Sequence, residues 1–191
     1  MSAEPVEPLD ELDMQLARLM HLARRRPLTI DDLWGLPPEL GRTELLNGSL
    51  ILTPLPDVQH QDLVARLTLA LRQLLDEPHA PSPALALPGC NVFKPDSDGE
   101  LFGPDVVVID PTKVVRIHGK GDGVYPDDVL LAIEVTSSNA KMDLETKRQW
   151  FEAHGVPYVV LDRTQSPMTF TPFRSWPRWA RPDVLRAAAD L

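Results

Sequence analysis

Apolar positions change period several times along the chain, and each change marks an element. Over residues 11–26, Leu12, Leu16, Leu19 and Met20 recur at i, i+4, i+7 and i+8, the stripe of an amphipathic helix. Arg24, Arg25 and Arg26 sit at its C-terminal end, where cations complement the helix dipole. Thr29 with Asp32 three residues on reads as the capped start of a short helix that stops near Leu36-Pro37-Pro38. Two strand-like runs, 42–46 and 49–55, flank Asn47-Gly48, a strong hairpin signal. Val58, Leu63, Leu67, Leu71, Leu74 and Leu75 then mark a long helix that ends before Pro78.

Residues 77–88 are rich in Pro and Ala and read as irregular. Residues 90–94 and 105–109 read as strands joined by a polar turn at 96–99, and 116–123, with glycines at 119, 121 and 123, as a flexible loop. Residues 129–136 are apolar on both faces, the mark of a central strand. A helix is predicted over 139–154, with Ser138 or Asn139 as its cap and Gly155 as its stop. Its face carrying Ala140, Leu144, Phe151 and His154 is expected to pack on the sheet. Residues 159–162 and 168–173 complete the strands. Helices flanking a mixed sheet give an α/β layered domain. The expected organisation is an acidic tail and N-terminal helix over 1–27, a domain over 28–173 and a C-terminal extension over 174–191.

A length of 191 residues suits one domain, and 43% apolar with 25% charged residues excludes disorder. No apolar run approaches the roughly 18 residues of a membrane span. The acidic start lacks an apolar signal core, so a cytoplasmic location is expected. The single cysteine, Cys90, excludes an internal disulfide framework and reads as a small core residue. Twenty prolines imply stiff connections. The net charge of −9 argues against a nucleic-acid partner unless a divalent cation inverts the local field. Glu4, Glu7, Asp10, Glu11 and Asp13 concentrate part of that charge at the N-terminus.

Chemistry centres on two carboxylates. Asp105 opens one apolar strand and Glu134 lies near the end of another, and a carboxylate on a buried strand is costly unless a cation meets it. Two of them with a neighbouring backbone carbonyl make an oxygen-rich site suited to Mg²⁺ or Mn²⁺. On the following helix Asp143 and Lys147 share a face at i, i+4. They read either as a partly buried ion pair or as a lysine aimed at the carboxylates. His60 at a helix start reads first as structural. His118 and Lys120 are phosphate-contact candidates on a loop that is more simply solvated. The aromatic and basic stretch 173–181 suits stacking on nucleic acid, but packing on its own domain better.

Pro104-Asp105 followed by Glu134-Val135-Thr136-Ser137 resembles the PD-(D/E)XK nuclease superfamily, with its restriction-endonuclease-like fold. More narrowly, the chain is similar to the Uma-two family of bacterial restriction endonucleases. The stretches that carry the likeness are 42–48, Pro54 and His60, 103–108, 132–138, Asp143 with Lys147, and 155–162. The resemblance implies a mixed sheet flanked by helices and a Mg²⁺- or Mn²⁺-dependent endodeoxyribonuclease. Asp105, Glu134, Glu44 and the Val135 carbonyl would surround the metal, and Lys147 would serve the reaction. DNA is the implied substrate, and a homodimer is expected because cutting both strands calls for two sites. The lysine that commonly sits two residues after the second acid is Thr136 here; in the Uma-two pattern it lies on the next helix, as Lys147 does. The alternative is a catalytically silent scaffold on the same fold.

Overall fold

The computed structural model describes residues 11–36, 41–53, 55–136, 141–165, 168–173 and 175–190. The expected tail 1–10, the stop at Pro37-Pro38, Pro54 and the cap at 138–139 with Ala140 lie outside them. Among the described residues no helix is long and apolar enough to cross a membrane.

Helix α1 (Glu11–Ala23) and short α2 (Ile30–Leu33) come first. Asp32 accepts hydrogen bonds from the Thr29 backbone N–H (2.8 Å) and hydroxyl (2.9 Å), which fixes the α2 start. Strands β1 (Arg42–Leu46) and β2 (Ser49–Thr53) form the expected hairpin. Asn47 (φ 50°) and Gly48 (φ 72°) both take the left-handed conformation that such a two-residue turn needs. Helix α3 (Val58–Leu75) follows, capped by Asp57, whose carboxylate accepts the His60 N–H at 2.7 Å. Strands β3 (Leu85–Pro88), β4 (Asn91–Phe93), β5 (Leu101–Phe102), β6 (Val106–Ile109), β7 (Val115–Ile117), β8 (Gly121–Val124) and β9 (Val129–Thr136) come next. A π-helical turn (Met142–Lys147) leads into α4 (Arg148–Ala153). Strands β10 (Tyr158–Asp162) and β11 (Thr169–Pro172) and helix α5 (Pro182–Ala189) close the chain.

Two sheets result, not one. The first has the order β2-β1-β5-β4-β8-β7 and the second β11-β10-β9-β6-β3. The second is mixed, with β9 in the middle, parallel to β10 and antiparallel to β6. Period-two alternation divides its faces. Val106, Val108, Leu131 and Ile133 meet Leu63, Leu67 and Leu71 of α3, which is backed by Leu185 of α5. Val107, Ile109, Ala132 and Val160 meet Trp150 and Phe151 of α4. A third cluster, with Leu19, Leu28, Ile30 and Leu45, packs α1 and α2 on the first sheet.

Several expectations are corrected. The segment read as irregular supplies β3, because an edge strand paired on one side tolerates Pro88. The glycine-rich loop is the hairpin β7–β8; His118 turns its corner at φ 45° and lies beside Asp31 (3.2 Å) and Asp98 (3.4 Å). Met20 and Val58 point to solvent although they fit the apolar stripes. As expected, Trp176 and Trp179 pack partly buried against the α3 and α5 core, so these C-terminal aromatics are packed and not presented.

Candidate active site

The ladder between β6 and β9 pairs Val106 with Ile133 and Val107 with Ala132. Carried one residue further, that register sets Asp105 opposite Glu134, on the α4 face of the sheet. Asp105 Oδ1 accepts a hydrogen bond from Arg42 Nη1 at 2.7 Å and lies 3.2 Å from His60 Nε2. Its Oδ2 accepts the Val135 backbone N–H at 2.8 Å. Arg42 also donates to the Pro104 carbonyl at 3.0 Å.

Lys147 reaches the same place from the π-helical turn. Its Nζ donates to Glu134 Oε1 at 2.9 Å, lies 2.9 Å from Glu44 Oε2 and 3.6 Å from Asp143 Oδ1. Glu44, on β1, accepts the Gly103 N–H through Oε1 at 2.9 Å. Its Oε2 touches the ammonium without hydrogen-bond alignment and has no hydrogen-bond partner among the described residues. Glu44, Glu134 and Lys147 are respectively 0%, 2% and 3% exposed, so these charges meet in a dry environment where each depends on its neighbours.

The protonation pattern follows. Burial, reinforced by the Asp105 and Asp143 charges, raises the Glu134 carboxyl well above the usual range despite Lys147. Burial pushes Asp143 up to about 6. Burial would raise Asp105 too, but the His60 contact, the Arg42 charge and a hydrogen bond shared with Glu134 take it well below the usual range. Within the facing pair Asp105 is therefore the stronger acid and Glu134 the weaker. Burial opposes the Lys147 charge, but Glu134, Glu44 and Asp143 raise its pKa beyond the ordinary lysine value.

All of these groups but buried Glu44 line a cleft of about 1370 Å³ along α3, namely Arg42, His60, Asp105, Glu134, Asp143 and Lys147. Four carboxylates (Glu44, Asp105, Glu134 and Asp143) face two permanent cations, Arg42 and Lys147. That acid surplus and the unaligned Glu44 Oε2 fit a hard divalent cation held by oxygen. Asp105 and Glu134 would hold it, and Glu44, which shares Lys147 with Glu134, would assist. In the present arrangement no three His, Cys, Asp or Glu side chains converge at ligand spacing among the described residues. Val135 donates its N–H to Asp105 and is itself part of the cleft lining.

Asp105, Glu134, Glu44 and Lys147 thus come together, with Asp143 at the edge. His118 and Lys120 do not join them, since Asp31 holds Lys120 at 3.1 Å and the lining of the cleft includes neither. Cys90 is half-buried against the α4 core, and burial raises its thiol to about 11. Sequence reasoning missed Arg42. The available signal was its position two residues before Glu44 in a strand, which puts both side chains on one face. His60 also belongs beside Asp105, which a lone histidine at a helix start could not reveal.

No curated protein matches the chain. A solved structure described as "a putative nuclease belonging to DUF820 from Anabaena variabilis" is similar, with TM-score 0.56 and 17% identity over 78% of this chain and 82% of that one. The likeness is one of fold. The model of the Uma2 family, described as "Putative restriction endonuclease", matches residues 30–183, a span that contains every group gathered at the cleft, and the chain belongs to that family.

Proposed function

We propose that the chain is a metal-dependent endonuclease that hydrolyses phosphodiester bonds in DNA. The carrying observation is Asp105 facing Glu134 across adjacent strands on an open cleft, with the Lys147 ammonium 2.9 Å from Glu134. Arg42 and the Val135 N–H keep Asp105 ionised and oriented. Lys147 orients Glu134 and lines the cleft, where its charge can stabilise the charge developing on phosphate oxygens. Mg²⁺ or Mn²⁺, when bound, supplies a water of lowered pKa and neutralises the phosphate. A homodimer would bring two such sites to a duplex; sedimentation as a single protomer with and without DNA would remove that part.

The test is nicking of supercoiled plasmid with Mg²⁺ or Mn²⁺. Wild type should cut, chelation should stop it, and Glu134→Gln should lower the rate by about two orders of magnitude or more. A wild type that cuts neither DNA nor RNA with any divalent metal favours the silent scaffold. That reading is supported by the engagement of Asp105 with Arg42 and His60.

A further inference from the structure

Among the described residues of the cleft, Arg42, Arg66, Arg72, Lys147 and Arg163 balance Asp57, Asp62, Asp105, Glu134 and Asp143. Those ten charges cancel, so they contribute nothing to the chain's net charge of −9. Four of the five cations are engaged with fixed parts of the fold. Arg42 holds Asp105, and Lys147 sits among three carboxylates. Arg66 donates to the Ala188 (2.8 Å) and Ala189 (3.0 Å) carbonyls at the end of α5, and Arg72 to the Ala86 carbonyl of β3 (3.0 Å).

Arg163 differs in that both its terminal nitrogens face one exposed carboxylate. Its Nη1 and Nη2 donate to the two oxygens of Asp57 at 2.9 and 2.6 Å, and the Asp57 side chain is 55% exposed at the cleft rim. Its Nε donates to the Thr136 carbonyl at 3.2 Å, two residues beyond Glu134, so the guanidinium is aimed independently of Asp57. The Asp105 charge also contributes to the raised pKa of Arg163, which places the guanidinium within the electrostatic reach of the carboxylate pair. Asp57 would keep a partner if Arg163 left it, because it also accepts the His60 N–H at the start of α3.

A bidentate carboxylate on a guanidinium has the same fork geometry as a bidentate phosphate. The carboxylate side of the pair is exposed and screened by solvent, so an anion can exchange into it from the cleft rim although Arg163 itself is 18% exposed. We propose that Arg163 is the phosphate-binding arm of the cleft, and that Asp57 occupies its guanidinium until the oxygens of a phosphodiester take the carboxylate's place. This rests on the nucleic-acid reading above and adds to it where the backbone next to the reacting centre is gripped.

The experiment is fluorescence anisotropy of a labelled 20-nucleotide strand and its duplex, titrated with the full chain in EDTA at low salt, beside a thermal melt of each variant. Asp57→Asn keeps a capping side chain and removes the competing charge, so binding should tighten, by about threefold or more. Arg163→Gln should weaken it by about tenfold, and Arg163→Lys should recover only part, because an ammonium cannot fork. The double variant should follow Arg163→Gln. A purely structural brace would move both single variants in one direction, or leave affinity unchanged while the melts fall together; either result overturns the proposal. If Arg163→Gln fails to fold, Asp57→Asn decides alone: tighter binding supports the arm, and weaker or equal binding rejects it. A wild type that binds neither strand nor duplex removes the nucleic-acid reading itself and the arm with it. Binding with same-direction variants removes only the arm.

Discussion

Lys147 is a buried cation whose removal leaves three carboxylates facing one another. Glu44, Glu134 and Asp143 lie within 2.9, 2.9 and 3.6 Å of its ammonium, so its electrostatic and structural roles are not separable. Lys147→Met keeps the stem and deletes the charge. Breaking a buried pair from one side costs about 3–5 kcal/mol, and that loss should depend on pH. Lys147 has a raised pKa, so its contribution is present throughout the neutral range and would fade only above the ordinary lysine value. Its partners Glu134 and Asp143 are raised as well; they carry protons at low pH and gain charge as pH climbs, Asp143 through about 6. The attraction that the mutant lacks is therefore largest when they are ionised. The drop in melting temperature should be greater at pH 8 than at pH 5, and cleavage should fall at both. An equal drop at the two pH values would show that the carboxylates do not titrate against Lys147. At this scale much of the site is legible in the sequence, because a carboxylate inside an apolar strand is an anomaly at any resolution. Glu134 stands out in that way, and Lys147 follows once a helix is placed after it. Arg163 and Asp57 are not legible: each is an ordinary loop or cap residue, and only the fold joins positions 106 residues apart.

Helix α4 is held to the sheet by aromatic contact. Phe151 is fully buried, stacks on Tyr158 (4.8 Å, 12°) and meets Trp150 edge-on (5.0 Å, 89°), while Trp150 packs on Phe102 at 4.8 Å. These contacts fix the π-helical turn that carries Asp143 and Lys147; the Tyr158 hydroxyl also donates to the Asp143 carbonyl at 3.1 Å. Phe151→Ala should cost about 3–5 kcal/mol through lost burial and the cavity left behind. Because the lysine is placed by this helix, nicking should fall further than the fraction unfolded explains. Chemical denaturation beside the plasmid assay checks both, and activity that tracks the folded fraction alone would separate the aromatic cluster from the site. The long elements were legible because their period persists: α3 keeps an apolar stripe over five turns, and β9 is apolar on both faces. Four short strands, β3, β5, β7 and β8, were not. β5 has two residues, β7 and β8 have three and four with glycines among them, and β3 contains a proline; each is a strand because a neighbour supplies the ladder. The π-helical turn was equally hidden, since one widened turn leaves no mark in a 3.6-residue pattern.

Across the whole molecule, charge is partitioned. The described cations and anions that line the cleft cancel, so the chain's −9 is carried by other residues, buried Glu44 among them. A polyanion approaching the bare chain gains little at the cleft and is repelled elsewhere, so metal-free binding should be weak. A divalent cation among Glu44, Asp105 and Glu134 would turn the cleft positive without altering the outer surface. Few cations are free to displace counterions from a strand; if one or two phosphates are neutralised, the slope of log K against log salt should lie near −0.7 to −1.4. Adding Ca²⁺, which takes the same oxygen ligands as the metals proposed here, should raise affinity for an oligonucleotide in wild type. It should do so much less in an Asp105→Asn, Glu134→Gln pair of substitutions. Anisotropy titrations across a salt series, with and without Ca²⁺, measure both quantities. A nanomolar affinity that persists without metal well above physiological salt would place the binding surface outside the cleft, on basic groups such as Arg24 to Arg26 beyond α1, and the cleft would then lose its claim to the nucleic acid.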